Sequence, residues 1–190
     1  MSAGNSQASI LRGYQKIEGA ARTFNFDFRD KTVLDIGSST GGFTAYALNS
    51  GAAKVIAVEK GTNQMQRPLR YDERIDLHEK TDIFTFKPAK RPDVIVADIS
   101  FLSLTKILSY ARLHLATRGT DFLVMLKPQF EARPSDLTRG VVKNETIRRR
   151  IIKDFEFWLK SHHYVIIKKH DNDLKGKTGN RERFYWLRIV

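Results

Sequence analysis

Four apolar runs of similar length each end on a polar or charged residue: KTVLDIG (31–37), KVIAVEKG (54–61), PDVIVADIS (92–100) and TDFLVMLKP (120–128). Runs this rich in Val, Ile and Leu read as strands buried on both faces, the pattern of a parallel sheet covered by helices. Segments of helical spacing separate them. GFTAYALNSG (42–51) stops at Gly51, LTKILSYARLHLA (104–116) repeats its apolar residues at helical intervals, and NETIRRRIIKDFEFWLKSHH (144–163) is a long helix with Asn144 as its N-cap. TNQMQRPLRYD (62–72) is a short helix strained by Pro68, and RIDLHEKTDI (74–83) holds a short third strand. YVIIKKH (164–170) and RFYWLRIV (183–190) are two closing strands. This alternation calls for an α/β domain with a mostly parallel sheet. The segments 1–10, 131–143 and 171–181 are expected to be mobile loops, and nothing marks a second domain.

Charge and composition narrow the function. The formal net charge of +12 points to a polyanionic partner, because basic side chains that neutralise phosphates release counterions. No apolar stretch is long enough to span a bilayer, and MSAGNSQASILRGYQK lacks the apolar core of a secretory signal. With no cysteine there is neither a disulfide nor a thiolate zinc site. These features fit a cytoplasmic protein that uses no membrane and no metal.

The turn after the first strand carries the most specific chemistry. VLDIGSSTGGFT sets glycines at 37, 41 and 42 between a strand and a helix, where small residues let a ligand approach the backbone. In an open α/β sheet this is the carboxyl end of the strands, where ligands bind. The spacing is D-x-G-x-x-x-G-G, not the dinucleotide fingerprint G-x-G-x-x-G, and it is the pattern of class I methyltransferases. The expected S-adenosylmethionine site comprises Asp35, Gly37, Ser38, Ser39, Thr40, Gly41, Gly42, Phe43, Glu59, Lys60, Asp82 and Asp98. Asp35 would orient the loop and the methionine end, Glu59 would accept from the ribose hydroxyls, and Asp82 would contact the adenine amino group. One strand-end acid alone means little; the ordered series Asp35, Glu59, Asp82 and Asp98 is much more specific.

Asp98 and Lys127 end the fourth and fifth strands, and neighbouring strands lie about 4.8 Å apart. Their side chains can therefore meet beside the cofactor, where a methyl acceptor must sit. Lys16 and Glu182 complete a possible Lys–Asp–Lys–Glu set. A hydroxyl acceptor is a poor acid, and a lysine in its free-amine form can take its proton. Spacing alone leaves Lys16 and Glu182 as ordinary surface charges, Asp98 as a helix cap and Lys127 as a snorkelling strand-end residue.

From about residue 10 onward the chain resembles the FtsJ-like methyltransferase domain of the TlyA (hemolysin A) family of ribosomal RNA 2′-O-methyltransferases. The blocks that carry the likeness are RGYQKIEGA, VLDIGSSTGGFT, VEKGTNQM with LRYDERI, ADISFLSL, MLKPQFEA, RGVVKNE and GKTGNRE, in that order. The resemblance implies a Rossmann-like, seven-stranded, mostly parallel sheet with helices on both faces. It implies a catalytic tetrad of Lys16, Asp98, Lys127 and Glu182, S-adenosylmethionine as cofactor, and ribosomal RNA or a ribosomal subunit as partner. Relatives usually carry an N-terminal S4-type RNA-binding domain. Here a flexible segment 1–10 and one methyltransferase domain over 11–190 are expected, without that module. A non-catalytic RNA-binding module and a small-molecule methyltransferase are the competing readings. For RNA contact the candidates are Arg148, Arg149, Arg150 and Lys153 in the long helix, Lys168, Lys169, Lys175, Lys177, Arg181 and Arg183 near the C-terminus, and Arg12, Lys16 and Arg22 near the start. Phe101 and Phe130 are candidates to stack on a base.

Overall fold

A computed structural model describes residues 3–174, 176 and 179–190, with the side chains of residues 3–9 left out of the description. The strands are β1 (Thr32–Ile36), β2 (Lys54–Val58), β3 (Ile75–His78), β4 (Val94–Ala97), β5 (Asp121–Leu126), β6 (Tyr164–Asp171) and β7 (Arg183–Ile189). They form one seven-stranded sheet in the order β3-β2-β1-β4-β5-β7-β6. Strands β1 to β5 pair in parallel, while β7 runs antiparallel to both β5 and β6.

Helices cover both faces: α1 (Ala3–Phe24), α2 (Gly42–Asn49), α3 (Arg67–Arg70), α4 (Leu104–Tyr110), α5 (Pro128–Glu131) and α6 (Glu145–Ser161). Alternation along the strands divides the core between them. Val33, Val55, Val96 and Leu123 pack against Ile17, Ala20, Phe24 and Ala47 of α1 and α2. Leu34, Ile56, Ile95 and Val124 face the other way, toward Leu108, Phe155 and Leu159 of α4 and α6. Asn144 caps α6 as expected, its Oδ1 accepting from the backbone N–H groups of Thr146 (2.8 Å) and Ile147 (3.3 Å). No helix among the described residues is long and apolar enough to cross a membrane.

Three local expectations are revised. The helix expected over 62–72 is only the single turn α3, which starts with Pro68 in its first turn, where a missing N–H costs nothing. The helix over 104–116 changes to a π turn at Ala111–Leu115. The largest difference is α1, a 22-residue helix that also takes in most of the segment expected to be a loop. It crosses α2 at two glycines. A Cβ on Gly42 would stand 2.8 Å from Gly13 Cα and 2.9 Å from the Ile10 carbonyl oxygen. Only glycine allows this approach, which carries α1 across the carboxyl ends of the strands.

Candidate active site

The parallel strands end in register. Asp35 lies beside Ala57 and Val96, and Ile36 beside Val58 and Ala97, so Gly37, Glu59 and Asp98 leave the sheet along one edge. A cleft of about 910 Å³ opens there, lined by the β1–α2 turn, Glu59, Asp82, the Asp98–Leu102 segment, Lys127 and Glu182. Strand β5 outruns β4 and continues against β7, with Leu126 paired to Arg183. Lys127 and Glu182 therefore flank the last rung of the β5–β7 ladder. Lys16 comes from α1, one turn beyond the Gly13–Gly42 crossing.

These four side chains meet. Lys127 Nζ lies 2.6 Å from Asp98 Oδ1 and donates to Ser100 Oγ at 2.9 Å. Lys16 Nζ lies 2.7 Å from Glu182 Oε2 and 4.0 Å from Asp98 Oδ2. Lys16, Lys127 and Glu182 are all buried. Ion pairs of this kind hold the charges in place because neither lysine can leave without stranding a carboxylate. Pro128 does not merely end the strand; it opens the single turn α5, with Lys127 as the residue before it.

The cofactor side is built differently from the sequence expectation in several places. Asp35 is buried in the cleft wall and accepts from Thr44 Oγ1 at 2.7 Å, which fastens the end of β1 to the start of α2. Burial pushes its carboxyl up to about 7, the Thr44 hydroxyl opposing the shift and Asp98 and Glu59 adding to it. Glu59 accepts from the backbone N–H of Ser39 (2.9 Å) and of Gly61 (2.6 Å), so it braces the turn while facing the cleft. Asp82 also lines the cleft, with its oxygens accepting from Phe84 N and Lys60 Nζ, both at 3.1 Å. Gly37, Ser38, Ser39, Thr40, Gly42 and Phe43 are all in the cleft wall. Gly41 is not; its missing side chain makes room for Leu69 of α3, 2.6 Å from a Cβ there. Gly42 is required first by α1, as described above.

Four buried oxygens of the wall, Ser38 Oγ, Gln129 Oε1, Asp98 Oδ1 and Glu182 Oε2, have no hydrogen-bond partner among the described residues, the last two being held by ion pairs alone. Such atoms are costly unless a ligand satisfies them. Together with the glycine turn and the acids Asp35, Glu59 and Asp82, they fit a cofactor with a cationic amino-acid end and a ribose. Ser100, Gln129 and Gly140 were not singled out from the sequence. Their signal is proximity to the strand ends: Ser100 and Gln129 each follow a tetrad residue by two positions.

The basic residues sort sharply. Arg148 is buried, donating to Asp171 Oδ1 (2.7 Å) and to the Arg181 carbonyl (3.2 Å), so it is an internal pin and not an RNA contact. Arg150 pairs with Asp136 (2.5 Å), Lys169 with Glu156 (2.7 Å), Arg183 with Asp171 (2.5 Å) and Arg22 with Glu18 (2.9 Å). Arg181 approaches Glu145 at 3.6 Å, and Lys168 donates to the Phe24 carbonyl at the end of α1 (2.7 Å). Arg149 stays exposed with a loose 3.8 Å contact to Glu145, and Lys153 is exposed. Lys175 and Lys177 lie outside the described residues. Arg12 and Lys16 line the cleft.

At the cleft rim, Thr138 and Val141 exchange backbone hydrogen bonds (2.9 and 3.1 Å) around Arg139 (φ 52) and Gly140 (φ 78). Two left-handed central residues make a tight hairpin turn. Buried Asn180 holds it, accepting from Val142 N (3.0 Å) and donating to the Gly140 carbonyl (3.1 Å). Phe101 stands at the same rim, 88% exposed, with φ 69, and its ring centroid is 5.5 Å from that of Phe130.

A parallel sheet closed by an antiparallel seventh strand, with a glycine turn and strand-end acids around one cleft, is the class I methyltransferase architecture. The chain belongs to the FtsJ-like methyltransferase family, whose sequence model matches residues 10–189, and its cofactor is S-adenosylmethionine. It is 34% identical over 183 residues to the 23S rRNA (cytidine-2′-O)-methyltransferase TlyA of Campylobacter jejuni, covering 95% of this chain and 71% of that one. It is 36% identical over 184 residues to the putative rRNA methyltransferase YqxC of Bacillus subtilis, covering 94% of this chain and 65% of that one. The solved structure of a putative hemolysin from Streptococcus thermophilus superposes with a TM-score of 0.90 at 31% identity, over 94% of this chain and 66% of that one. The chain thus spans roughly two thirds of the length of these relatives.

Proposed function

We propose that this protein methylates a ribose 2′-hydroxyl of ribosomal RNA. The observation that carries the reading is the coupled ion-pair set Lys16–Glu182 and Lys127–Asp98, at 2.7 and 2.6 Å, on the open side of the cofactor cleft. The names of the Campylobacter and Bacillus relatives supply the class of substrate.

Asp35, the Gly37–Thr40 turn and Glu59 are the groups that would hold the cofactor, with Asp82 at the far end of the cleft. When bound, S-adenosylmethionine supplies an electrophilic methyl group, so the remaining work is to place the hydroxyl and remove its proton. Lys127 does this after the ammonium held in the ion pair with Asp98 has given up a proton to solvent. Lys127 Nζ donates to Ser100 Oγ and lies in ion-pair contact with Asp98 Oδ1, which fixes the nitrogen at the acceptor pocket. The hydroxyl proton passes to Lys127 Nζ while a new O–CH₃ bond would replace the methyl–sulfur bond of the bound sulfonium, which would leave as the neutral thioether. Asp98 then offsets the ammonium charge. Lys16, braced by Glu182, is the second cation of the acceptor pocket and orients the incoming ribose or its phosphate.

The RNA approaches over the rim that carries Phe101, Phe130 and the Arg139 hairpin. An aromatic ring left in solvent at a positive φ is strained, and strain of this kind persists at working sites. Phe101 stacks on the target base, and Arg139 and Lys143, which have no ion pair among the described residues, meet its phosphates. The test is transfer of a labelled methyl group from the cofactor to ribosomal subunits and to naked rRNA, followed by digestion to nucleosides. A 2′-O-methylated nucleoside is expected. Label on a base, or on protein only, contradicts the reading.

A further inference from the structure

The segment that carries Phe101 is fastened at both of its ends to a single turn of the chain. On one side Ser100 Oγ accepts from Lys127 Nζ at 2.9 Å. On the other, Glu131 receives two short hydrogen bonds: Ser103 Oγ donates to its Oε2 and the backbone N–H of Leu104 donates to its Oε1, both at 2.6 Å. Lys127 and Glu131 bracket α5, and Phe130, against which the Phe101 ring leans, lies between them. Three residues, Ser100 to Leu102, thus span two anchors that belong to the same turn as the proposed base.

The strain at Phe101 gives this staple a purpose. A bulky residue at φ 69 relaxes toward the extended region unless its flanks are held. Nothing buries the Phe101 ring, so packing does not hold it. The Ser100 anchor alone leaves the C-terminal flank free to swing. Charge-assisted hydrogen bonds to a carboxylate are the strong ones, and Glu131 makes two of them at that flank.

We propose that Glu131 is a positioning residue for the RNA acceptor: it holds the Phe101 segment at a set distance from Lys127, so that a base stacked on Phe101 brings its ribose to the base that deprotonates it. This rests on the reading of Phe101 as the stacking surface. Glu131 itself is not in the wall of the cofactor cleft. It also caps the first turn of α4, and a cap with no further role would show only in stability.

A double-mutant cycle separates the two. Glu131→Gln keeps the shape and an acceptor for Leu104 N but removes the charge and turns the Ser103 bond into one that the NH₂ donates; it is expected to raise KM for rRNA about tenfold, the size of the lost charge assistance, with cofactor affinity unchanged. Ser103→Ala cuts one of the two bonds together with the α4 cap that Ser103 Oγ gives Thr105 N (3.2 Å), and moves KM in the same direction by less. In a Phe101→Ala background, which is itself impaired, Glu131→Gln adds nothing further. If the two effects multiply instead, or if Glu131→Gln lowers the melting temperature with KM unmoved, the positioning role is wrong and the stacking reading stands. If Phe101→Ala binds and methylates rRNA like wild type, the stacking reading falls and this proposal falls with it.

Discussion

Lys16 and Glu182 form a buried ion pair at 2.7 Å, with side chains only 8% and 3% exposed, although one comes from the first helix and the other from the approach to the last strand. Lys16→Met leaves Glu182 buried beside an apolar chain and is expected to cost about 3 kcal/mol or more in urea unfolding. Lys16→Met combined with Glu182→Gln recovers most of that stability, because no charge is then stranded, yet stays inactive. Recovery of methyl transfer in the double variant would mean that the pair is structural only.

Asp35 makes the cofactor-free protein sensitive to pH. Its carboxyl is raised from 3.8 to about 7, so between those values the folded chain holds a proton that the unfolded chain has released. Stability from this group is therefore full below about pH 4, falls as pH rises toward 7, and is flat above that, with a total loss of about 4 kcal/mol at most. Urea midpoints measured from pH 4.5 to 7.5 are expected to show this decline in wild type and a shallower one in Asp35→Asn, which still accepts from Thr44. Parallel pH profiles for the two proteins would contradict it.

Gly42 predicts a packing defect that resembles a catalytic one. Its absent side chain admits the backbone of α1 at 2.8–2.9 Å. Gly42→Ala is expected to destabilise by about 1–3 kcal/mol and to lower transfer by shifting Lys16. Gly41→Ala is expected to act elsewhere, through Leu69 and α3, without moving Lys16.

How far the sequence goes can be judged from α1. The strands are legible because buried parallel strands leave uninterrupted apolar runs, and the glycine turn because its spacing is tied to a strand and a helix. Ile10, Tyr14, Ile17, Ala21 and Phe24 repeat at helical spacing too, but no acidic residue marks the first turn, and only residues 1–10 read as a flexible segment. Lys16 and Glu182 are visible only through the family resemblance, since nothing local says that a glycine contact will lay α1 over the cleft. The cations mislead in the opposite direction. Three consecutive arginines cannot share one helix face, but the run Arg148-Arg149-Arg150 does not say which turns inward; the structure sends Arg148 to Asp171 and leaves Arg149 in solvent.

That sorting predicts which arginines RNA uses. Arg139→Ala is expected to reduce the salt slope of rRNA binding by about one unit, the signature of one lost phosphate contact, with stability unchanged. Arg148→Met is expected to do the reverse, leaving the slope alone and costing about 1–3 kcal/mol through its lost bonds to Asp171 and the Arg181 carbonyl, with Arg183 still paired to Asp171. A slope change confined to Arg148→Met would move the RNA path to α6.

The most direct test of the account is single-turnover methyl transfer to ribosomal subunits by wild type and Lys127→Ala, with cofactor affinity measured on the same samples. Cofactor binding is expected to stay close to wild type and transfer to fall by a factor of at least about 100, the usual contribution of a general base. Undiminished transfer by Lys127→Ala, with binding intact, would contradict it.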